Sequence, residues 1–371
     1  MTRLLLLLVV LAVSALTPPA AAQSPVRLDL QIPTGYPRLS ITGAVGTVCT
    51  VQCRTNLAQS NWLTLTTFAL TNTLQWWNDT TAPGSGTRWY RAWVQPVTDL
   101  QSSYGTSVRG QDLVCHKISP LTTNGRKALL NFEVHGFEDA WYRDGYALIA
   151  IANRVRNYYL TNPAALKGWT IYLNPSANPD GVMYGTNNAR ETSPPAFGRC
   201  TANGRDINRN FSLNTSTEQL KLATLVTNVA PTIILDFHGW CAAYYAENNG
   251  AAVGDYFASA FNASYPGKPS KYGYVKPDGT TDWSTANGVT FHSITTMTAN
   301  MFAEWANSVK NIPAAIIEYP APAFETSHIG TQLFDKTLDP GTGLYFINAG
   351  TLEIMISRTE VALDDLFAHY P

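Results

Sequence analysis

Five short polar motifs in this chain combine the residue types that hydrolyse an amide bond with the help of a metal. Each motif ends or follows an apolar, β-rich run, where a strand would release the chain into a loop. The motifs are HGFE at 135–138, NPDG at 178–181, GRDINRNF at 204–211, DFHGW at 236–240 and IIEYP at 316–320. Histidine nitrogen and carboxylate oxygen are suitable zinc ligands. The motifs therefore predict zinc-assisted hydrolysis of a peptide or amide bond.

The candidate metal ligands are His135, Glu138 and His238. A His and a Glu three residues apart are a weak signal alone, because such pairs occur often by chance on solvated helix faces. At the end of a β-run, however, both side chains can converge on one cation, and His238 can join them from a distant strand. A short pair plus a remote histidine is typical of a catalytic site that leaves one position to water. One Zn²⁺ ion is the predicted cofactor.

The elements that must position these residues alternate between two patterns after about residue 104. Apolar runs such as ALLNFEV, WTIYLNP, TIILDFH and AAIIEYP indicate buried strands, and the segments between them include stretches with helical spacing of apolar residues. This alternation is typical of an α/β domain, in which ligands gather at the carboxyl ends of the strands. His135, Asn178, His238 and Glu318 lie at or just past such ends, so we expect them to share one site.

A change in composition and hydrophobic pattern near residue 100 predicts a domain boundary. Residues 26–97 are rich in Thr and Trp, and short alternating runs are separated by turn-like segments. This pattern predicts a small all-β, sandwich-like domain over 24–100, joined to the rest by a linker at 97–105. Four tryptophans in it either pack the core or form a ligand platform: Trp76, Trp77, Trp89 and Trp93.

Composition and the first residues limit the classes of partner and location. The chain has 371 residues, 45% of them hydrophobic, so it can bury a large core and form two domains. A formal net charge of -1 gives no reason to expect nucleic acid or an acidic membrane surface as partner. Residues 1–22 have Arg3, an apolar stretch and three alanines, which predicts a cleavable secretory signal rather than a membrane anchor. The mature chain is expected to be extracellular or periplasmic, without a membrane span.

Five cysteines are present, so at least one has no partner within the chain. If TVCTVQCRT is a strand, Cys49 and Cys53 lie about 13 Å apart along it, too far for a disulfide between them. The sequence leaves the pairing of the other cysteines open.

The five motifs, in this order, resemble the zinc metallocarboxypeptidases of the carboxypeptidase A type. The resemblance covers about Tyr104 to Pro371, and the entry segment YGTSVRGQDLVCHKI is similar to that family's opening. It implies a catalytic domain over 104–371 with a mixed, mostly parallel twisted sheet and helices on both faces. It also implies that His135, Glu138 and His238 bind zinc.

The resemblance implies roles for four further residues. Asn208 and Arg209 would hold the terminal carboxylate of the substrate, and a guanidinium suits this role because it offers two parallel donors. Asp206 would accept a hydrogen bond from His135 and orient it. Glu318 would act as general base and then general acid, taking a proton from water and passing one to the leaving nitrogen.

Two substrate contacts follow from gapless counting backward from Asp282. Tyr274 falls at the position of the family's capping tyrosine, although nearby Tyr272 is an alternative. Thr281 falls at the base of the pocket for the terminal side chain, where a neutral residue implies a neutral or mixed preference. The segment between Asp282 and Glu318 is longer than in the pancreatic members, and it forms either a lid over the cleft or a helix packed outside the sheet.

The position of the family's carbonyl-polarising arginine is occupied by Ser193, so another residue must take that role. Arg190 is the candidate for oxyanion stabilisation, and Arg199 is the reserve.

Three functions remain open at this level. The first is an exported carboxypeptidase that acts on peptides with a free C-terminal carboxylate. The second is an exported peptidase or amidase on cell-wall peptides, which the altered arginine region permits. The third is a binding protein on an inactive carboxypeptidase scaffold, against which the presence of all three candidate ligands and Glu318 argues.

Overall fold

The computed structural model divides the chain into two compact units, Met1–Leu100 and Gln101–Pro371. The division falls within one strand, β6 Trp89–Thr106, so the prediction of a linker at 97–105 is wrong. The described residues are 26–31, 36–56, 58, 61–82, 87–136, 144–185, 198–240, 243–246, 248–263, 272–275, 281–284, 290–292, 301–319, 334–338, 345–347 and 349–371.

The first unit contains two antiparallel sheets, one of order β1-β2-β5 and one in which β3 pairs with both β4 and β6. The strands are β1 Arg27–Gln31, β2 Arg38–Thr42, β3 Thr47–Arg54, β4 Leu63–Ala69, β5 Leu74–Asn78 and β6 Trp89–Thr106. Alternate residues of β2 and β3, Leu39 and Ile41 with Cys49 and Val51, are buried in one apolar cluster. The predicted all-β character of this region is confirmed.

A fully buried carboxylate, Asp79, ties the end of β5 to the start of β6. Oδ1 accepts hydrogen bonds from the backbone N–H of Thr81 at 3.0 Å and from its hydroxyl at 2.6 Å. Oδ2 accepts from Arg88 Nη1 at 2.6 Å and from the Tyr90 hydroxyl at 2.9 Å. Burial alone would raise the pKa of Asp79, but the bonds from Thr81, Tyr90 and Arg88 hold it below its usual value.

The first unit is therefore expected to lose stability in acid through Asp79. Because the folded-state pKa is lower than the unfolded one, the stabilisation is present above the unfolded pKa and is lost as the pH falls through the folded value. Asp79→Asn should cost about 2–4 kcal/mol at neutral pH, since it removes one charge of a buried pair. Urea unfolding followed by tryptophan fluorescence from pH 3 to 7 measures this. Equal pH dependence in wild type and Asp79→Asn would contradict it.

The second unit is built on a mixed sheet in the order β14-β11-β15-β10-β8-β9-β7. Its strands are β7 Asp112–Pro120, β8 Lys127–Phe132, β9 Thr170–Asn174, β10 Ile233–Trp240, β11 Ala243–Ala246, β14 Thr290–His292 and β15 Ala314–Tyr319. The pairs β8–β9, β8–β10, β10–β15 and β11–β14 are parallel, whereas β7–β9 and β11–β15 are antiparallel. The predicted mixed, mostly parallel sheet is confirmed. Two separate hairpins pair β12 Tyr272–Val275 with β13 Thr281–Ser284 and β16 Phe334–Leu338 with β17 Tyr345–Ile347.

Helices cover both faces of this sheet, as predicted. They are α1 Asp144–Thr161, α2 Pro179–Tyr184, α3 Thr217–Val229, α4 Asn248–Ala263, α5 Phe302–Lys310 and α6 Ala349–His369, with short 3₁₀ turns at Pro163–Leu166 and Phe211–Leu213. On one face, α3 and α5 pack against Leu129, Ile234 and Ile316. On the other face, Phe237 contacts Phe257 of α4, with ring centroids 5.5 Å apart. Since side chains alternate along a strand, each central strand contributes to both cores.

Helix α5 lies within the long segment between Asp282 and Glu318. Phe302 and Trp305 on this helix are buried against Phe211, with ring centroids 5.1 and 5.0 Å away. Of the two predictions for this segment, the described part shows a helix packed on the sheet.

Two further sequence predictions concern cysteines and membrane spans. No disulfide joins any two of the four described cysteines. Cys49 and Cys53 both lie on β3, which is the condition for the prediction that they do not pair. Cys241 lies outside the described residues. Within the described part of the chain, no helix has both the length and the apolar character needed to cross a membrane.

Candidate functional site

His135 lies just beyond the carboxyl end of β8, on a turn with unusual backbone geometry. Glu133 has a φ of +56°, in the left-handed region that costs a residue with a side chain about 1–3 kcal/mol. Its buried carboxylate accepts hydrogen bonds from the hydroxyl of Ser176 and from the backbone N–H of Asn178, which help to hold this conformation. The turn thereby directs the chain out of the sheet at His135 and joins it to the NPDG segment.

Gly136 allows the same turn to pack directly on the NPDG helix, α2. A Cβ atom at Gly136 would lie 2.4 Å from the backbone of Gly181 and Val182, closer than real Cβ contacts allow. Asn178 begins this helix by accepting a hydrogen bond from the N–H of Gly181. The HGFE and NPDG motifs are thus in backbone contact.

His135 is buried, with 1% of its surface exposed, and is bonded to Asp206. The distance from His135 Nε2 to Asp206 Oδ1 is 2.8 Å. The same carboxylate accepts from the N–H of Asn208 at 2.8 Å, and its Oδ2 accepts from Arg199 Nε at 3.1 Å. Burial alone would raise the pKa of Asp206, but His135, Arg199 and Arg209 together hold it well below its usual range. Asp206 is therefore an ionised acceptor that fixes the Nε2 side of the His135 ring.

His238 occupies the equivalent position at the carboxyl end of β10 and is also 1% exposed. Its Nε2 lies 2.8 Å from Oδ2 of Asp236, a fully buried carboxylate on the same strand. The imidazole rings of His135 and His238 meet edge to face, with centroids 5.4 Å apart. Strands β8 and β10 are parallel neighbours, so their carboxyl ends bring the two histidines together.

This pair fits the nitrogen half of a zinc site. Zn–N distances of about 2.0–2.1 Å in a tetrahedral site put two ligand nitrogens about 3.3 Å apart, which corresponds to ring centroids up to about 5.5 Å apart. The observed 5.4 Å lies within this limit. Each Nε2 is bonded to a carboxylate, as is usual for metal-binding histidines, so a metal would bind through Nδ1. Within the described part of the chain, no three His, Cys, Asp or Glu side chains form a metal cluster, and Glu138 is not among the described residues.

Asn208 and Arg209 lie directly after Asp206 on one loop. Asn208 is 4% exposed, and its side-chain oxygen accepts from the N–H of Phe302 at the start of α5, at 2.9 Å. Arg209 is exposed, and its Nη1 donates to the carbonyl of Asn208 at 2.9 Å. The structure therefore brings Asp206, Asn208 and Arg209 to the His135 side of the site.

Gln219 holds this loop in place. In the first turn of α3, its side chain completes a capping box with Ser216. Its amide N–H₂ also donates to the carbonyls of Ile207 at 2.9 Å and Arg209 at 2.7 Å. One fully buried amide thus joins the start of α3 to the loop that carries Asn208 and Arg209.

The backbone of Glu318 lies beside His238, because β10 and β15 pair in parallel with these two residues in register. The side chain of Glu318 is outside the described part. Tyr274 and Thr281 lie on the facing strands of the β12–β13 hairpin, and their side chains are likewise outside it. Arg190 is not among the described residues, and the reserve candidate Arg199 is bonded to Asp206. The roles assigned to all these residues stay predictions.

Sequence reasoning missed several residues that support the site: Asn131, Glu133, Asn174, Gln219 and Asp236. A signal was present for three of them, since Asn131, Asn174 and Asp236 are polar residues inside otherwise apolar strand sequences, KALLNF, TIYLN and IILDF. A polar residue there is costly to bury unless it is hydrogen-bonded, which indicates a partner or a function. Nothing in the sequence marks Glu133 as left-handed.

Comparisons with known proteins agree with the motifs. Residues 90–249 match the model of the zinc carboxypeptidase family. Bacteriocin BCN5 of Clostridium perfringens is 31% identical over an alignment of 202 residues that covers 48% of this chain. The match spans 21% of the length of that relative.

Two solved structures are similar over more of the chain. A metallo-carboxypeptidase from Burkholderia cenocepacia is 14% identical, with a TM-score of 0.47, over 90% of this chain and 88% of its own. The carboxypeptidase A of Helicoverpa armigera is 13% identical, with a TM-score of 0.47, over 73% of this chain and 69% of its own.

The family match includes His135, Asp206, Asn208, Arg209 and His238 and ends before Tyr274, Thr281 and Glu318. The match agrees with the resemblance that the motifs indicate: residues 90–249 of this chain are similar to the zinc carboxypeptidases.

Proposed function

We propose that this protein is a zinc-dependent hydrolase that cleaves the C-terminal peptide bond of peptides. The observation that carries the proposal is the pair of buried histidines at the ends of neighbouring parallel strands, with ring centroids 5.4 Å apart and each Nε2 bonded to a carboxylate. Two imidazoles fixed in this way are the nitrogen donors of an open zinc site. Glu138 is the proposed third ligand.

The chain's own residues then have distinct roles. A bound zinc ion would lower the pKa of water and polarise the scissile carbonyl. Asp206 and Asp236 keep the two imidazoles oriented through their Nε2 atoms. Glu318, beside His238 in the β10–β15 pairing, accepts the proton of the attacking water and delivers one to the leaving nitrogen. Arg190 stabilises the negative charge on the carbonyl oxygen. We assign the cap over the substrate to Tyr274 and the base of its pocket to Thr281.

Asn208 and Arg209 select substrates with a free terminal carboxylate. The side-chain Oδ1 of Asn208 accepts from the backbone N–H of Phe302, so the side-chain N–H₂ is the part that donates to a substrate. The guanidinium of Arg209 is exposed and always charged, and it offers the geometry that a carboxylate accepts best. Gln219 fixes the backbone of both residues.

Arg209→Met is expected to raise KM for peptides with a free C-terminus by about 10- to 100-fold, the loss of a charged hydrogen-bonding pair. Hydrolysis of C-terminally amidated peptides should change little, because these peptides have no terminal carboxylate for Arg209 to bind. Arg205→Met is the matched control, since Arg205 is an exposed arginine on the same loop. Equal effects of both substitutions, or equal losses on free and amidated peptides, would count against this role.

The proposed function is tested by metal analysis combined with turnover. The purified protein is expected to contain about one zinc ion per chain and to hydrolyse members of a blocked dipeptide library with free carboxylates. Treatment with a chelator should abolish this activity, and added Zn²⁺ should restore it. A purified protein that neither contains nor binds zinc would refute the proposal and favour the binding protein on an inactive scaffold.

The alternative substrate is a peptide of the bacterial cell wall. The feature that permits it is Ser193, which stands where the resemblance places the carbonyl-polarising arginine. Cell-wall peptide fragments and simple blocked dipeptides, assayed side by side, separate the two: a kcat/KM at least tenfold higher on the wall fragments would assign the protein to them.

The cellular location of the protein is part of the proposed function. We propose that residues 1–22 direct export and are removed, so that the enzyme acts outside the cytoplasm. N-terminal sequencing of the exported protein should start near Gln23, and an unprocessed chain retained in cells would contradict this.

A further inference from the structure

A row of three buried polar side chains crosses the centre of the sheet beside His238. Asn131 in β8, Asn174 in β9 and Asp236 in β10 are each 0% exposed. Strand pairing places Asp236 opposite Asn131 and Asn131 opposite Asn174. The residue two positions earlier on each strand lies on the same face of the sheet. These residues, Leu129, Tyr172 and Ile234, belong to the apolar core under α3 and α5.

The row is connected by short hydrogen bonds. Asn131 Nδ2 donates to Asp236 Oδ1 at 2.7 Å, and Asn174 Nδ2 donates to Asn131 Oδ1 at 2.6 Å. The Asn174 amide also lies 2.8 Å from the hydroxyl of Tyr104. With its oxygen and nitrogen exchanged, this amide would instead donate to the carbonyls of Val114 and Ser176 and accept from Tyr104, and its oxygen would then face Asn131 Oδ1. Hydrogen bonds therefore lead from His238 through Asp236 to Asn131, and in the first orientation onward through Asn174 to Tyr104.

Burying these three polar side chains does not by itself stabilise the fold. Three buried polar groups in adjacent strands must all be satisfied, and well-packed apolar side chains of similar volume would be at least as stable. The row ends at an imidazole on one side. Asp236 has one oxygen on His238 Nε2 and the other on Asn131, so the carboxylate cannot rotate without breaking one of the two bonds.

The two histidines are held by different means. Asp206, the partner of His135, is braced by the guanidinium of Arg199 and is 15% exposed at its side chain. Asp236, the partner of His238, is fully buried and is braced by the neutral amide of Asn131. No cation contacts Asp236 in the ion pairs of the described residues, apart from His238 itself if it is protonated. Through Asp236, the imidazole of His238 is thus joined to the amide row.

We infer that Asn131 and Asn174 are positioning residues for the metal ligand His238 and act on it through Asp236. By fixing the plane of the Asp236 carboxylate, they fix the tilt of the imidazole and the direction of its Nδ1. The inference rests on the proposed zinc function. Asn131 acts directly on Asp236, and Asn174 acts on Asn131, so the effect of substitution should decline along the row.

The test is the zinc dissociation constant of the full chain, measured by competition with a chromophoric chelator. Asn131→Leu is expected to weaken zinc binding by about 10- to 100-fold, the usual effect of removing a residue that supports a metal ligand from behind. Leu130→Val is the matched control, because Leu130 is also fully buried in β8 but faces the opposite core. Both variants should lower the melting temperature of the metal-free protein, and only Asn131→Leu should alter zinc affinity and the visible spectrum of the Co²⁺-substituted protein.

Two milder variants keep the inference testable if Asn131→Leu does not fold. Asn131→Ser is too short to reach Asp236 and should weaken zinc binding about tenfold. Tyr104→Phe removes one hydroxyl at the far end of the row and should have an effect of threefold or less. Unchanged zinc affinity and Co²⁺ spectrum in the folded Asn131 variants would overturn the inference while leaving the zinc function intact. Absence of zinc binding in the wild type would overturn both.

Discussion

Replacing Glu318 by Gln is expected to reduce peptide hydrolysis about a thousandfold while the protein keeps its zinc. Glu318 follows four buried residues of β15, Ala314 to Ile317, and its backbone lies in register with His238. A carboxylate at this place can accept a proton from water, whereas an amide of the same shape cannot. General acid–base catalysis contributes about 10²–10⁴ to the rate, which sets the expected loss.

The measurement is kcat/KM on blocked dipeptides together with the zinc content of each preparation. Glu353→Gln is the control, because Glu353 is an exposed carboxylate on α6 that pairs with Arg154 at 2.8 Å. It should leave both quantities unchanged. A Glu318→Gln enzyme with near-normal kcat/KM would remove Glu318 from the mechanism, and one that has lost its zinc would assign it to metal binding.

His238→Ala is expected to abolish zinc binding and hydrolysis together. The substitution removes one of the two fixed imidazoles and leaves Oδ2 of the buried Asp236 carboxylate without its imidazole partner, while Oδ1 keeps the bond from Asn131. Removing a residue that bonds a metal ligand weakens metal binding by about 10- to 100-fold, and removing the ligand itself should weaken zinc binding more than that. The uncompensated buried carboxylate should also lower the melting temperature.

His116→Ala separates these two effects. His116 is a buried histidine on β7, in register with Leu173 of β9, and lies outside the candidate site. Its loss should lower stability but leave zinc affinity close to that of the wild type. If His238→Ala binds zinc as tightly as His116→Ala does, the two histidines do not form the metal site.

The mixed, mostly parallel sheet and the meeting of His135 with His238 at one edge of it could be predicted from the sequence. Apolar runs that end in a histidine mark the carboxyl ends of β8 and β10, and parallel pairing brings such ends to one edge. The N-terminal β unit was predictable for a similar reason, because short alternating runs with turn-like separators indicate antiparallel strands.

The supporting residues could not be predicted in the same way. The left-handed backbone of Glu133 depends on contacts with Ser176 and Asn178, more than 40 residues away in the chain. Gln219 looks like an ordinary capping residue until the carbonyls of Ile207 and Arg209 are placed beside it. Such roles arise from tertiary contacts between distant segments, which hydrophobic periodicity does not encode.

The pairing of β8 with β10 bears on how the protein folds. Asn131 and Asp236 face each other although they are 105 residues apart in the chain. Closing so long a loop is entropically unfavourable, and non-local parallel pairing is a slow step in folding. Under the proposed function, His135 and His238 come together only when this pairing has formed, so the rate of zinc uptake during refolding would report the assembly of the central sheet.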